Sequence, residues 1–143
     1  MNALLDTNIL IRSSNKTDPR HQALGDFLRE QVKAGVRLFV APQNVVEFWV
    51  VATRPPAVNG LGLTVEDAHA RVEDLIAAFE LLPDPPTLVS KWLVLCRDHL
   101  VLGRQAHDAR LAAFMMGHQI HRLITLNHAD FKRFTEIECV TPL

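Results

Sequence analysis

Three acidic residues lie where a solvated surface charge is not the expected explanation. Asp6 ends the apolar run that opens the chain, and Glu47 is the only charged residue between Val40 and Thr53. Asp108 begins the largely apolar segment "DARLAAFMM". Carboxylates that are held close together repel one another, and a divalent cation removes that repulsion. Oxygen ligands without paired His or Cys favour Mg²⁺ or Mn²⁺, ions that commonly activate water for attack on a phosphodiester.

Each of these acids also has a purely structural explanation. The helix predicted around Glu47 is apolar on almost every side, so Glu47 is expected to be buried on most sides. Its structural alternative is a salt bridge to a buried arginine such as Arg54 or Arg110. Asp6 could close an Asx turn after its strand, and Asp108 could cap the N-terminus of a helix. For each residue taken alone the alternatives stay open, and it is their coincidence that favours a shared site.

The hydrophobic pattern predicts the elements that position these acids. Short apolar runs bounded by polar residues predict four or five buried strands, at 2–6, 37–41, 122–126, 137–140 and, as the fifth, 79–82. Capping residues and apolar periodicity predict helices over about 18–34, 42–53, 64–79, 87–100 and 107–118. Strands that alternate with helices are typical of an α/β domain with a mainly parallel sheet.

The ends of two predicted strands carry polar residues. In a parallel α/β sheet, ligands bind at the carboxyl ends of strands where the strand order reverses. Asp6 lies at one such end, and "LITLNHADF" places Thr125, Asn127 and Asp130 just after another. If these strands are neighbours, Thr125 and Asn127 face Asp6 across a crevice.

Composition narrows the class of protein. A chain of 143 residues with 48% hydrophobic residues predicts one domain, 1–143. The net charge of -1 argues against a protein that coats nucleic acid by bulk electrostatics. Cys96 and Cys139 form no CxxC pair, and the N-terminal apolar run is too short for a signal peptide, so we expect a reduced, cytoplasmic protein. No apolar stretch reaches the roughly 20 residues of a membrane span.

Four segments resemble the motifs of the PIN-domain family. In family order and spacing they are "LLDTNIL", "NVVEFWVVATRP", "HDARLAAFM" and "LITLNHADF", and they are most similar to those of VapC-type ribonuclease toxins. The resemblance implies a three-layer α/β/α sandwich around a mainly parallel sheet of four to five strands. It also implies a Mg²⁺- or Mn²⁺-dependent endoribonuclease that acts on RNA, forms a homodimer and is inhibited by a cognate antitoxin.

The resemblance carries over to individual residues. It implies that Asp6, Glu47 and Asp108 are the metal-binding and catalytic acids, with Glu47 orienting the attacking water. Many relatives have an acid two residues after the Thr of the fourth motif, where this chain has Asn127. Either Asn127 is a metal ligand there or Asp130, three residues later, acts as the fourth acid.

Other α/β phosphate-handling classes fit less well. A receiver domain needs a Lys at a strand end, and none of the four lysines lies at one. A haloacid-dehalogenase-type phosphatase needs a second Asp at the position of Asn8. The alternative that stays open is a PIN-like module with weak or no catalysis that binds RNA or a protein.

Further residues are candidates for contacts with RNA and with the antitoxin. The candidate phosphate contacts, near motif ends, are Arg54, Arg104, Arg110 and His107. The Pro- and Gly-rich loop 54–63 is a candidate rim of the site. The apolar face around Leu24, Phe27 and Leu28, with the helix that carries Trp49, predicts a groove for an antitoxin segment that inserts a basic residue toward the acids.

Overall fold

Five short strands form one sheet in which every neighbouring pair is parallel. The computed structural model describes residues 1–143. The strands are β1 (Asn2–Leu5), β2 (Arg37–Val40), β3 (Glu80–Leu81), β4 (Arg122–Ile124) and β5 (Glu138–Val140). Their order is β3-β2-β1-β4-β5. The predicted α/β class and sheet are therefore confirmed, with the fifth predicted strand, β3, only two residues long.

Seven α-helices connect and cover the strands. They are α1 (Thr7–Ser14), α2 (His21–Lys33), α3 (Pro42–Thr53), α4 (Val65–Ala78), α5 (Leu88–Asp98), α6 (Gln105–Gly117) and α7 (His128–Phe131). A 3₁₀ turn covers Pro56–Val58. None of the helices combines the length with the apolar composition that a bilayer span requires.

The helices differ from the sequence prediction in four main places. Helices α1 and α7 were not predicted, and α2 begins at His21 because Asp18 accepts the backbone N–H of Arg20 in a turn that precedes the helix. Helix α6 begins at Gln105, which places Asp108 in its first turn and makes the prediction that Asp108 caps the helix wrong.

Alternate residues of the strands bury both faces of the sheet. In β1, Ala3 and Leu5 pack with Val40 and Ile124 beneath α1 to α4, whereas Leu4 packs on the opposite side with the cores of α5 and α6. These two hydrophobic clusters are the interfaces of a three-layer α/β/α sandwich. Strands buried on both sides have no polar face, which explains why they read as continuous apolar runs.

The strand order reverses at β1. The chain passes from β1 outward through β2 to β3, and then returns to place β4 and β5 on the other side of β1. Consecutive crossovers that leave in opposite directions open a crevice at the carboxyl ends of β1 and β4. Asp6 and Thr125 follow those two strand ends directly.

Candidate acidic site

Asp6 is fixed at the end of β1 by hydrogen bonds that suit a carboxylate. Its Oδ1 accepts the backbone N–H of Thr7 at 2.7 Å, so Asp6 also caps α1. Its Oδ2 accepts from Thr125 Oγ1 at 2.8 Å and from Asn8 Nδ2 at 3.3 Å. All three partners donate, which favours the ionised form. The cap and the site are thus two roles of one side chain.

Burial and neighbouring charge act against that ionised form. Burial raises the pKa of Asp6 above its ordinary value, hydrogen bonds from Thr125 and Thr7 lower it, and the charges of Glu47 and Asp130 raise it. The net direction is upward. The carboxylate is therefore well supplied with donors but lacks a positive charge to offset its neighbours.

Glu47 lies on α3 and is held by a buried polar chain. Its Oε1 accepts from Thr7 Oγ1 at 2.8 Å, and the same hydroxyl accepts from Asn44 Nδ2 at 3.2 Å. Asn44 is fully buried, and its Oδ1 accepts the backbone N–H of Ala41 at 2.8 Å. Because both ends of the Asn44 amide are satisfied, the orientation of Thr7, and through it of Glu47, is well defined.

The structure corrects two predictions about Glu47. The residue is half-buried rather than buried, because α3 turns Val46 (64% exposed) and Val50 (52% exposed) toward solvent. It also has no salt bridge with either predicted arginine. Arg54 donates to the backbone carbonyl of Asn59, whereas Arg110 donates to Gln43 and forms an ion pair with Asp84.

Asp108 faces the same group of charges from α6. The pKa of Asp108 is raised from its ordinary value of 3.8 to about 6, first by burial and then by the charges of Asp130, Asp6 and Glu47, while His107 lowers it. Helix α6 is tied to α3 by Gln43, whose Nε2 donates to the backbone carbonyl of His107 at 2.8 Å. Elements from both layers thus bring the four acids into one electrostatic site.

The raised pKa of Asp108 predicts a pH-dependent stability of the metal-free chain. The folded chain is more stable when Asp108 is protonated than when it is ionised. This gain in stability is fully present below the ordinary pKa of 3.8 and is lost as the pH rises through about 6. Because the carboxyl group of Asp108 is only half-buried, we expect its protonation to contribute roughly 1–2 kcal/mol to the free energy of unfolding. In EDTA at about pH 8, Asp108→Asn should unfold at higher denaturant than wild type, and the difference should vanish below about pH 4.

Denaturant unfolding across this pH range tests that prediction. Asp98→Asn is the matched control, because Asp98 is an exposed acid that pairs only with Arg97. Equal or lower stability of Asp108→Asn at the alkaline end would contradict the crowding of negative charge at this residue.

An open cleft of about 580 Å³ lies in front of three of the four acids, all but Asp6. It is lined by Glu47, Leu102, Arg104, Gln105, His107, Asp108 and Asp130. Asp130 is exposed on α7. Asn127 is not among the lining residues, and its backbone N–H donates to Thr125 Oγ1 at 2.9 Å. Of the two candidates from the fourth motif, the structure thus brings Asp130, and not Asn127, to the cleft.

Only some of the candidate RNA contacts line the cleft. Arg104 and His107 line the cleft, whereas Arg54, Arg110 and the rest of the loop 54–63 do not. Arg110 instead donates to Gln43 Oε1 at 3.0 Å, which positions the glutamine that ties α3 to α6.

The acids provide the donor chemistry of a hard cation without enclosing one. No three His, Cys, Asp or Glu side chains converge closely enough to hold a metal ion by themselves. Mg²⁺ is commonly bound by only one or two carboxylates and keeps several waters. Burial first, and then repulsion by the neighbouring acids, raises the pKa of Asp6 and of Asp108, and a cation bound among these carboxylates would offset both effects.

Sequence reasoning missed the two polar residues that support the acids from α3. Gln43 and Asn44 are both buried, and they precede Glu47 by four and three positions. Residues at these spacings share one face of a helix. The signal was therefore present as a polar stripe on an otherwise apolar helix.

Comparison with known proteins identifies the family. A family model described as PIN domain matches residues 3–137. The chain belongs to the PIN-domain family. The match covers nearly the whole chain, as the resemblance of the four motifs predicted. No curated protein matches this PIN domain in sequence.

Solved structures share the architecture of this PIN domain. VapBC2 from Rickettsia felis, bound to a DNA fragment from its promoter, aligns with a TM-score of 0.74 and 16% identity over 99% of this chain and 98% of that one. VapBC-1 from nontypeable Haemophilus influenzae aligns with a TM-score of 0.70 and 20% identity over 99% of this chain and 98% of that one. VapC20 from Mycobacterium tuberculosis is described as a Sarcin-Ricin loop cleaving toxin. It aligns with a TM-score of 0.68 and 15% identity over 92% of this chain and 94% of that one. At these identities the similarity establishes the PIN fold.

Proposed function

We propose that this PIN domain is a divalent-metal-dependent endoribonuclease and the toxin of a toxin-antitoxin pair. The observation that carries the proposal is the mutual electrostatic influence of four acids, Asp6, Glu47, Asp108 and Asp130, beside the crevice at the carboxyl ends of β1 and β4. Nuclease activity is supported by the description of VapC20 as a toxin that cleaves the Sarcin-Ricin loop. We place the activity in the cytoplasm, where RNA substrates are available.

The chain's own residues have distinct roles in this proposal. Asp6 and Asp108 would hold Mg²⁺ or Mn²⁺, Glu47 would orient the attacking water, and Asp130 would act as the fourth acid in preference to Asn127. Bound there, the cation would activate water for attack on RNA phosphorus and stabilise the charge that develops on the phosphate oxygens. Thr125 and Thr7 keep Asp6 and Glu47 in position through hydrogen bonds of 2.8 Å.

The partner proposal follows from the same comparisons. A structure described as a toxin-antitoxin complex from Klebsiella pneumoniae aligns with this chain with a TM-score of 0.64 and 20% identity over 99% of this chain and 98% of that one. The predicted docking face needs revision, because Leu24 and Leu28 are buried in the core. We therefore propose that an antitoxin segment contacts the exposed Val46 and Val50 of α3. A homodimer is proposed from the family resemblance.

A non-catalytic binding module is the second candidate. It is favoured by one observation, namely that no three potential ligands converge on a single point. Incubating the purified chain with total RNA separates the candidates. The proposed nuclease should cleave RNA with Mn²⁺ or Mg²⁺ and stop when EDTA is added. Binding of RNA without metal-dependent cleavage would favour the module.

Thr125→Val should weaken the proposed metal site without breaking the fold. The change keeps the side-chain volume but removes the hydroxyl that donates to Asp6 Oδ2 at 2.8 Å and accepts the N–H of Asn127 at 2.9 Å. Partners of metal ligands typically contribute 10–100-fold to metal affinity, so a loss of about that size is expected by calorimetry. Thr53→Val is the control, because Thr53 bonds only the carbonyl of Trp49 within α3. Unchanged Mn²⁺ affinity of Thr125→Val would contradict the role of Thr125.

A further inference from the structure

The loop between α5 and α6 presents two leucines to solvent beside the acidic cleft. Leu100 is 80% exposed and Leu102 is 77% exposed. Leu102 lines the cleft together with Glu47, Asp108 and Asp130, whereas Leu100 does not. Single exposed leucines are ordinary on protein surfaces. An exposed leucine within a cleft of charged residues is different, because nothing in the fold requires an apolar side chain there.

The loop holds these leucines in a defined conformation. Leu100 has φ of 51° and Gly103 has φ of 56°, so the backbone turns twice through the left-handed region. That region is costly for Leu, and such strain persists only where the surrounding structure enforces it.

The anchors of the loop lie on both sides of the strained residue. The N–H of Val101 donates to the carbonyl of Cys96 at 2.9 Å, and Arg133 Nη1 donates to the carbonyl of His99 at 3.3 Å. The ring of His99 packs edge-on against Phe134 at 5.2 Å. The side chain of Val101 packs on the core. Leu102 is therefore displayed on a rigid support.

A free arginine follows the leucines. Arg104 lines the cleft and makes no side-chain hydrogen bond or ion pair. Among the eleven arginines only Arg104 and Arg20 are unpartnered in this way. A guanidinium that faces a cleft yet pairs with none of its acids remains available for a planar anion such as a phosphate.

We infer that this loop selects the RNA: Arg104 binds a phosphate that neighbours the cleaved one, and Leu102 packs against the base of the adjoining nucleotide. The inference rests on the proposed function. Leucine has no hydrogen-bonding group and can contact only the face of a base. In a duplex that face is covered by stacking, whereas unpaired nucleotides expose it. Leu102 therefore favours an unpaired nucleotide beside the cleavage site.

Continuity with the cleft favours RNA over a protein as the occupant. Leu102 is the only hydrophobic residue that lines the cleft, and its neighbours there are charged or polar. A protein interface would present a broader apolar core. A polynucleotide instead alternates a negatively charged backbone with apolar base faces, which matches the pair formed by Arg104 and Leu102.

Fluorescence anisotropy with a labelled, unstructured RNA separates the two contacts. All variants carry Asp108→Asn, so that the RNA stays intact during the binding measurement. Arg104→Ala should weaken binding and reduce the slope of log affinity against log salt by about 0.7, the value for one single-strand phosphate. Leu102→Ala should weaken binding about five- to tenfold with an unchanged slope, because it removes only apolar contact. Arg20→Ala and Leu100→Ala are the matched controls and should bind as the parent does.

Sequencing the RNA ends made by the otherwise wild-type chain gives a second readout. Leu102→Ala should weaken the preference for an unpaired nucleotide at the position next to the cut, and Arg104→Ala should lower the rate at all sites alike. Equal effects of Leu100→Ala and Leu102→Ala, or a changed oligomeric mass with unaltered RNA binding, would overturn the inference. If the variants change binding as expected but the wild type cleaves nothing, the proposed function fails and the RNA contact stands.

Discussion

Asp6→Asn should abolish metal-dependent RNA cleavage while the chain stays folded. Asn keeps the volume of Asp and can still accept the N–H of Thr7, so the cap of α1 survives. What disappears is the charge that would hold the cation. Residues that only support a metal ligand contribute about 10–100-fold, so loss of a ligand itself should lower the rate by at least about 100-fold.

The assay compares initial cleavage rates of purified proteins with Mn²⁺. Asp108→Asn should match Asp6→Asn, and Asp26→Asn should cleave as the wild type does, because Asp26 is an exposed acid of α2 that pairs with Arg29. Expression without a partner offers a parallel readout, since the wild type should slow bacterial growth and the two inactive variants should not. Cleavage by Asp6→Asn at the wild-type rate would show that the site is misassigned.

The second large effect concerns release from the proposed antitoxin. The cleft combines three lining acids, Glu47, Asp108 and Asp130, with only Arg104 and His107 as potential cations, and the charge of Asp6 also acts on Asp108. A positively charged side chain from a partner can therefore take the place of the metal. We expect the antitoxin to insert an Arg or Lys toward Asp6, Glu47 and Asp108. Replacing that one residue with Ala should restore RNA cleavage to near the level of the free toxin, while the complex is only weakened.

Two measurements are needed to interpret that experiment. Affinity, measured by calorimetry, shows whether the altered antitoxin is still bound when cleavage returns. Replacement of a second basic residue elsewhere in the same antitoxin segment controls for the loss of charge alone. Full inhibition by the Ala variant at saturating concentration would mean that neutralisation works by blocking RNA access and not by occupying the acidic site.

The strands and most helices could be predicted because their signals are local. Strands buried on both faces read as apolar runs, and the α4 prediction was confirmed because Thr64 accepts the N–H of Asp67 as a capping residue should. Helix α1 was missed because Thr7, Asn8 and Ile9 have modest helix propensity. Its formation depends on the cap provided by Asp6 and on the burial of Ile9 and Leu10, which are properties of the tertiary structure.

The membership of the candidate site was partly predictable. Asp6, Glu47 and Asp108 stood out as charges in apolar surroundings, and the structure brings them within mutual influence. The choice between Asn127 and Asp130 depends on the turn that follows β4, where Thr125 Oγ1 accepts the N–H of Asn127. That turn aims the fourth motif through its backbone conformation, which residue spacing alone does not determine.

The surroundings of the acids were harder to predict. Burial of Glu47 was overestimated because hydropathy treats every valine as a core residue, whereas Val46 and Val50 are exposed. The structural alternative for Glu47, a pairing with Arg110, is not realised because Gln43 and Asp84 bind that guanidinium instead, at 3.0 Å each. Such partners are distant in sequence, because Gln43 lies on α3 and Asp84 in the loop before α5, and only the tertiary fold brings both to Arg110 of α6.

Calorimetric titration of Mn²⁺ into the wild type and into Asp6→Asn tests the central claim most directly. If the acids form one cation site, the wild type should bind the ion, and Asp6→Asn should bind it far more weakly. Near pH 6, binding to the wild type should also release protons, because the pKa of Asp108 is raised to about 6 and a bound cation favours its ionised form. Identical isotherms for the two proteins, without proton release, would contradict the account.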